Sequence, residues 1–148
     1  VKPEQKFWRD KVQPVMVTIP GLKYERVELS TGKCGMPDVY YTCGRSGWIE
    51  LKWVKLKPNK LCDIVESIDL SGWKREQRRW AKDHGQLGAP VFLLVGSENN
   101  IFLIDALPVV DEPEISLFSK HILAMWVGGN KINGAELKSI LKSRGSKP

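Results

Sequence analysis

Apolar and polar positions alternate most cleanly between residues 38 and 54. The run Asp38–Cys43 (Asp-Val-Tyr-Tyr-Thr-Cys) and the run Trp48–Val54 (Trp-Ile-Glu-Leu-Lys-Trp-Val) are rich in β-branched and aromatic residues, and Gly44-Arg45-Ser46-Gly47 separates them. This pattern predicts a hairpin. In its second strand Ile49, Leu51 and Trp53 share one face, and Glu50 and Lys52 share the other. A second hairpin is predicted from Pro90–Val95 and Ile101–Ile104, around Ser97-Glu98-Asn99-Asn100. Between the hairpins, Ser71 is a good N-cap for a helix from about Gly72 to Gln86. Its spacing turns Trp73, Gln77, Trp80, Ala81 and His84 inward. Arg75, Arg78, Arg79 and Lys82 form an opposite, basic face.

The remaining chain is less regular. Residues 4–12 read as a first helix through Phe7, Trp8, Lys11 and Val12. Pro14 and Pro20-Gly21 then interrupt it. Residues 22–30 read as a strand and Thr31–Gly35 as a turn. Residues 55–70, with Pro58-Asn59-Lys60 and no clear period, read as a crossing loop. The stretch 107–118 is acidic and contains prolines, Ser119–Trp126 reads as a short helix, and Asn133 with Glu136 starts a last helix through Leu137, Ile140 and Leu141. The order of elements is that of an α+β fold with a mixed sheet.

Composition narrows the class. The chain has 148 residues, with 42% hydrophobic and 27% charged, which is ordinary globular usage rather than that of a disordered tail or fibre. No apolar run approaches the roughly 18 residues of a membrane span. The start, Val1-Lys2-Pro3-Glu4, is too polar for a signal peptide. A cytoplasmic location is the expectation. Lys and Arg total 23 against 17 Asp and Glu, a net charge of +6 that favours a polyanionic partner. Cys34, Cys43 and Cys62 are odd in number and match no zinc or redox spacing, so all three are expected to be reduced.

Candidate chemistry sits on the first hairpin. Asp38 follows Pro37 at the start of one strand, and Glu50 and Lys52 share a face of the other. The hairpin brings all three together. Two carboxylates and a lysine at one sheet edge suit phosphodiester hydrolysis. The carboxylates are hard oxygen ligands for Mg²⁺, which activates a bound water, and the lysine steadies hydroxide or developing charge.

The segments Gly35-Met36-Pro37-Asp38 and Glu50-Leu51-Lys52, eleven residues apart between Asp38 and Glu50, resemble the PD-(D/E)XK nuclease superfamily. Within it the chain is most similar to the minimal VRR-NUC group and phage-type small endonucleases. Their helix with an inward glutamine would correspond to Gln77, and their following apolar strand to Gly88–Val95. The resemblance covers roughly residues 4–104. It implies an α/β sandwich with a restriction-endonuclease-like αβββαβ core at 1–106. Residues 107–148 would be a C-terminal extension with helical additions, packed on or beside the same domain. It also implies a bacterial or phage-infected host cell.

The resemblance implies a metal-dependent DNA endonuclease leaving 5′-phosphates, and allows one that acts as a homodimer on branched or Holliday-junction DNA. Asp38, Glu50 and the Leu51 carbonyl would bind Mg²⁺, with Mn²⁺ as a substitute. Lys52 would orient the water or stabilise the transition state, and Gln77 would support the site. One upstream acidic residue is also implied. Glu28 is favoured because Arg26-Val27-Glu28 keeps the R-x-E arrangement of phage-type members, with Glu25 and Glu4 as alternatives. Lys33, Lys55, Lys57, Lys60, Arg75 and Arg79 are candidate DNA contacts. His84 is expected in the core. Two rivals are a non-catalytic nucleic-acid-binding protein that keeps the fold, and an interaction protein whose basic charge is incidental.

Overall fold

The structure is a computed structural model that describes residues 2–27, 35–59, 62–128 and 131–144, with the backbone alone at 57–59 and 62–65. A six-stranded mixed sheet forms its centre. The strands are β1 (Lys23–Arg26), β2 (Val39–Thr42), β3 (Ser46–Trp53), β6 (Val91–Gly96), β7 (Asn100–Asp105) and β9 (Ile122–Val127), in the spatial order β1-β2-β3-β6-β7-β9. Among the described residues only β3 and β6 pair in parallel. A parallel pair needs a long crossover. Here it contains β4 (Leu56–Asn59), β5 (Cys62–Asp69) and helix α3 (Arg75–Gln86). With β8 (Glu114–Ser116), β4 and β5 form a second, three-stranded antiparallel sheet.

Each face of the main sheet has its own core. On one, Val39, Tyr41, Ile49, Leu51, Phe92 and Leu94 pack beneath the N-terminal helical segment and α4 (Gly134–Arg144). On the other, Leu93, Val95, Phe102 and Ile104 meet Trp73, Trp80 and Ala81 around α3, with Ile68 and Ile115 of the small sheet. The α+β class with a mixed central sheet, expected from the order of elements, is present. No helix among the described residues is long and apolar enough to cross a membrane.

Several expectations are corrected. Pro14 does not end the first helix. The helix runs as α1 (Pro3–Phe7), a wider π turn at Trp8–Val12 and α2 (Gln13–Met16). The Gln13 N–H reaches back five residues to the Trp8 carbonyl, and Pro14 then falls in the first turn of α2, where its missing N–H costs little. Residues 55–70 are mainly β4 and β5 rather than a loop. Pro58 is tolerated because β4 is an edge strand whose register shifts at Pro58/Asn59. Ser119–Trp126 is not helical, because Ile122–Val127 forms β9 on the outer edge of the main sheet. Ala124 and Trp126 are buried and Met125 and Val127 are exposed, the period-2 signature of a strand. The segment after residue 106 therefore adds two strands as well as α4.

Helix α3 begins later than Ser71. The Ser71 N–H is held by Asp69 Oδ1 at 2.9 Å, and Trp73 N–H closes a turn on the Leu70 carbonyl. This turn carries the Trp73 ring into the core, and Lys74 becomes the N-cap. Arg78 is not part of a solvated basic face. Its guanidinium lies over the Trp73 ring and donates to the carbonyls of Leu70, Val110 and Glu112, tying α3 to the chain around β8.

Candidate active site

The β2–β3 register determines the site. Val39 is opposite Ile49, the last pair of the ladder, so Asp38 lies just beyond it, across from Glu50. Trp48 and Val54 direct their N–H groups to β6, at Pro90 O (3.0 Å) and Gly96 O (2.9 Å). By the strand's alternation, the backbone groups of Leu51 point to the opposite edge, toward Asp38. There the Leu51 N–H donates to Asp38 Oδ2 at 2.8 Å. The Leu51 carbonyl faces this same edge, past the end of β2.

Glu50 is 2% exposed, and neither of its carboxylate oxygens has a hydrogen-bond partner. Lys52 Nζ lies 3.4 Å from Glu50 Oε2, an ion-pair contact. The same ammonium donates to Gln77 Oε1 at 2.9 Å and to the Gly72 carbonyl at 3.1 Å. Burial raises the pKa of Glu50 well above the ordinary carboxylate value. The Asp38 charge adds to that rise, and Lys52 opposes it. A buried carboxylate without a donor is costly unless a cation joins it.

That carboxylate, which has an ion pair with Lys52 but no hydrogen bond, a second carboxylate beside it and a backbone carbonyl on the same edge make an all-oxygen donor set. It fits a small hard divalent cation whose remaining positions go to water or phosphate. Among the described residues no group of three or more His, Cys, Asp or Glu side chains is arranged to hold a metal.

Gln77 is positioned by α3. Its Oε1 also accepts the N–H of Lys74 at 2.9 Å, so one amide caps the helix and holds Lys52. Gly35, at φ 64°, lies against the Glu76–Gln77 peptide, where a Cβ would overlap the Glu76 carbonyl. The glycine therefore lets the Pro37-Asp38 segment pass close under the start of α3.

The structure brings Asp38, Glu50, Leu51, Lys52 and Gln77 together. Glu28, Lys33 and Lys60 lie outside the described residues, and Lys57 lies in β4 where only the backbone is described. Glu25 is exposed and opposite Tyr40 on β1, a step away from the acidic pair. Glu4 lines a cleft of about 330 Å³ that also reaches Lys52. Lys55, Arg75 and Arg79 are exposed. His84 is not a core residue: it is exposed and stacked on Trp80, with centroids 3.8 Å apart. Cys43 is buried with a free thiol.

Sequence reasoning missed Arg26. Its Nη1 lies 3.3 Å from the Asp38 carbonyl and 3.4 Å from Asp38 Oδ1, and its guanidinium rests over the Trp8 ring. A signal was available in the predicted strand at 22–30, since pairing it with the Asp38 strand puts Arg26 beside Asp38. The Gly72 carbonyl carried no such signal, because it depends on the turn before α3.

No protein-family model and no curated protein matches the chain. Among solved structures, the chain is similar to Hjc, a Holliday junction resolvase from the archaeal hyperthermophile Archaeoglobus fulgidus, at 14% identity and a TM-score of 0.45, covering 80% of this chain and 86% of that one.

Proposed function

We propose that this protein is a Mg²⁺-dependent DNA endonuclease of the PD-(D/E)XK type, selective for branched DNA such as four-way junctions. The observation that carries the reading is Glu50: a carboxylate 2% exposed, without a hydrogen-bond donor, between Asp38 and Lys52. A fold has little reason to bury such a group for stability alone. The +6 net charge and the exposed Lys55, Arg75 and Arg79 suit a polyanionic substrate.

Asp38, Glu50 and the Leu51 carbonyl would hold the ion. When bound, it would supply Lewis-acid polarisation of the phosphoryl group and a more acidic water. Lys52, fixed by Gln77 Oε1 and Gly72 O, would orient the attacking water or donate to the developing negative charge. Attack at phosphorus releases the 3′ oxygen and leaves a 5′-phosphate. Arg26 would keep the Asp38 segment in position through its carbonyl. Glu28 remains the proposed accessory ligand. Cutting two strands of a junction calls for two such sites, hence a homodimer.

The test is cleavage of a matched panel of linear duplex, single strand, 5′ flap and four-way junction, with Mg²⁺, with Mn²⁺ and with EDTA. Metal-dependent cleavage that is strongest on the junction and lost in Glu50→Ala is expected. If folded protein cuts nothing with either metal yet binds DNA with a steep salt dependence, the non-catalytic rival replaces this reading.

A further inference from the structure

At the C-terminal end of β3 the cleft of about 330 Å³ opens between α1 and the turn before α3. Trp53, Trp73, Glu4, Asp69, Lys52 and Lys55 line it, while Asp38 and Glu50 do not. Its volume is at the low end of the roughly 300–1,000 Å³ range of small-ligand sites. It has room for one ring and its sugar, and none for a duplex. Trp53 is half-buried, so part of its indole is open to a ligand. The two carboxylates balance the two lysines, so the cleft has no net positive charge to draw a phosphate inside. Carboxylates do accept hydrogen bonds from ring N–H and exocyclic amino groups, as they do from cytosine N4. Asp69 is held in place by the Ser71 N–H. Lys55 is exposed at the rim, where a backbone phosphate would pass.

The geometry points to a pocket for one unpaired nucleobase next to the scissile phosphate, with its ring against Trp53 and its amino edge turned to Glu4 and Asp69. This inference rests on the nuclease reading for its place in the substrate. It adds a preference for strands that present a free base, such as a flap or a junction whose branch-point pair has opened: only a free base can fill the pocket. Stacking makes the base a substantial part of the affinity.

The experiment is binding in EDTA, where neither metal nor turnover enters. The probes are a flap strand carrying 2-aminopurine at an unpaired position, the same strand with an abasic residue there, and a fully paired duplex. The expected result is quenching of the unpaired analogue on binding, and about tenfold weaker binding of the abasic strand. Trp53→Leu and Glu4→Gln should each remove most of that difference. Trp53 also packs near Phe7, so Glu4→Gln carries the test if Trp53→Leu fails to fold.

Equal affinity for the abasic and base-bearing strands overturns the pocket. So does a Glu4→Gln variant that keeps the base preference but binds Mn²⁺ more weakly, which would assign Glu4 to the metal. Junction cleavage with Mg²⁺ that ignores the abasic residue leaves the nuclease standing without the pocket. Base-dependent binding without any cleavage does the reverse.

Discussion

The two sides of β3 are equally buried and differ in kind. Ile49 and Leu51, at 0% and 1% exposure, face aromatic and aliphatic side chains. One residue along in each case, Glu50 and Lys52 are buried at 2% and 8% on the opposite face, next to a helix start and a second carboxylate. Burial stabilises the first side, at about 25 cal/mol per Å² of apolar surface. On the second it works against the charged form of Glu50. One strand therefore separates the residues that hold the fold from those proposed to do chemistry, by nothing more than the pleat. The lesson is that burial by itself says little about role. What distinguishes the sides is whether the buried group is apolar or a carboxylate that has an ion pair but no hydrogen bond.

The strongest way to sharpen this contrast is Glu50→Ala. Cleavage should fall about 10³-fold, with Tm unchanged or higher, in paired activity and thermal unfolding measurements. Loss of fold together with activity would erase the distinction. Ile49→Ala is the mirror image: about 3 kcal/mol less stability in urea unfolding, and near-normal cleavage per folded molecule. Gln77→Ala touches both sides, because the amide holds Lys52 and caps α3. It should lower kcat roughly 10- to 100-fold, with a KM close to the starting value, and cost about 1 kcal/mol.

The smallest effect is a pH-dependent one. Because the folded protein raises the pKa of Glu50 above its ordinary 4.5, the native state binds a proton more tightly than the unfolded chain. Stability from this group is present at low pH and is lost as pH rises above 4.5 toward the raised value. Glu50→Gln should therefore be more stable than the native chain by about 1 kcal/mol at pH 8, roughly 4 °C in Tm, with the gap closing toward pH 5. Added Mg²⁺ should raise the Tm of the native protein and not of the variant. A gap that stays constant with pH would remove the electrostatic account of Glu50.

Much of this was legible in the chain, for reasons that can be named. The Asp38–Glu50–Lys52 grouping rests on period-2 alternation and on a turn between Cys43 and Trp48, both local properties. The inward direction of Gln77 followed from the helical spacing of α3, and its place in the site from the resemblance. What was not legible depended on distant partners. β5 gains its place from β8, more than forty residues on, and Pro58 hid β4 as a loop. Ile122–Val127 has too few residues to tell a helical from a strand period, and pairing with β7 decides it. Arg78 looked like one more surface cation until the Leu70, Val110 and Glu112 carbonyls were positioned around it. His84 sat on the inward stripe by spacing, yet lies near the end of α3, where Trp80 supplies only an outer stacking surface.

The short β2 has one more consequence. It stops at the Val39–Ile49 pair, so among the described residues the second half of β3 has no neighbouring strand on that edge. An unpaired edge is where another chain can add itself, a route to aggregation. Here the Leu51 N–H is already taken by Asp38 Oδ2, and the buried carboxyl group of Glu50 follows Ile49 on the same strand. The residues that would hold the metal thus also blunt a sticky edge. Asp38→Ala should lose cleavage and, in the same step, leave a protein that self-associates on concentration.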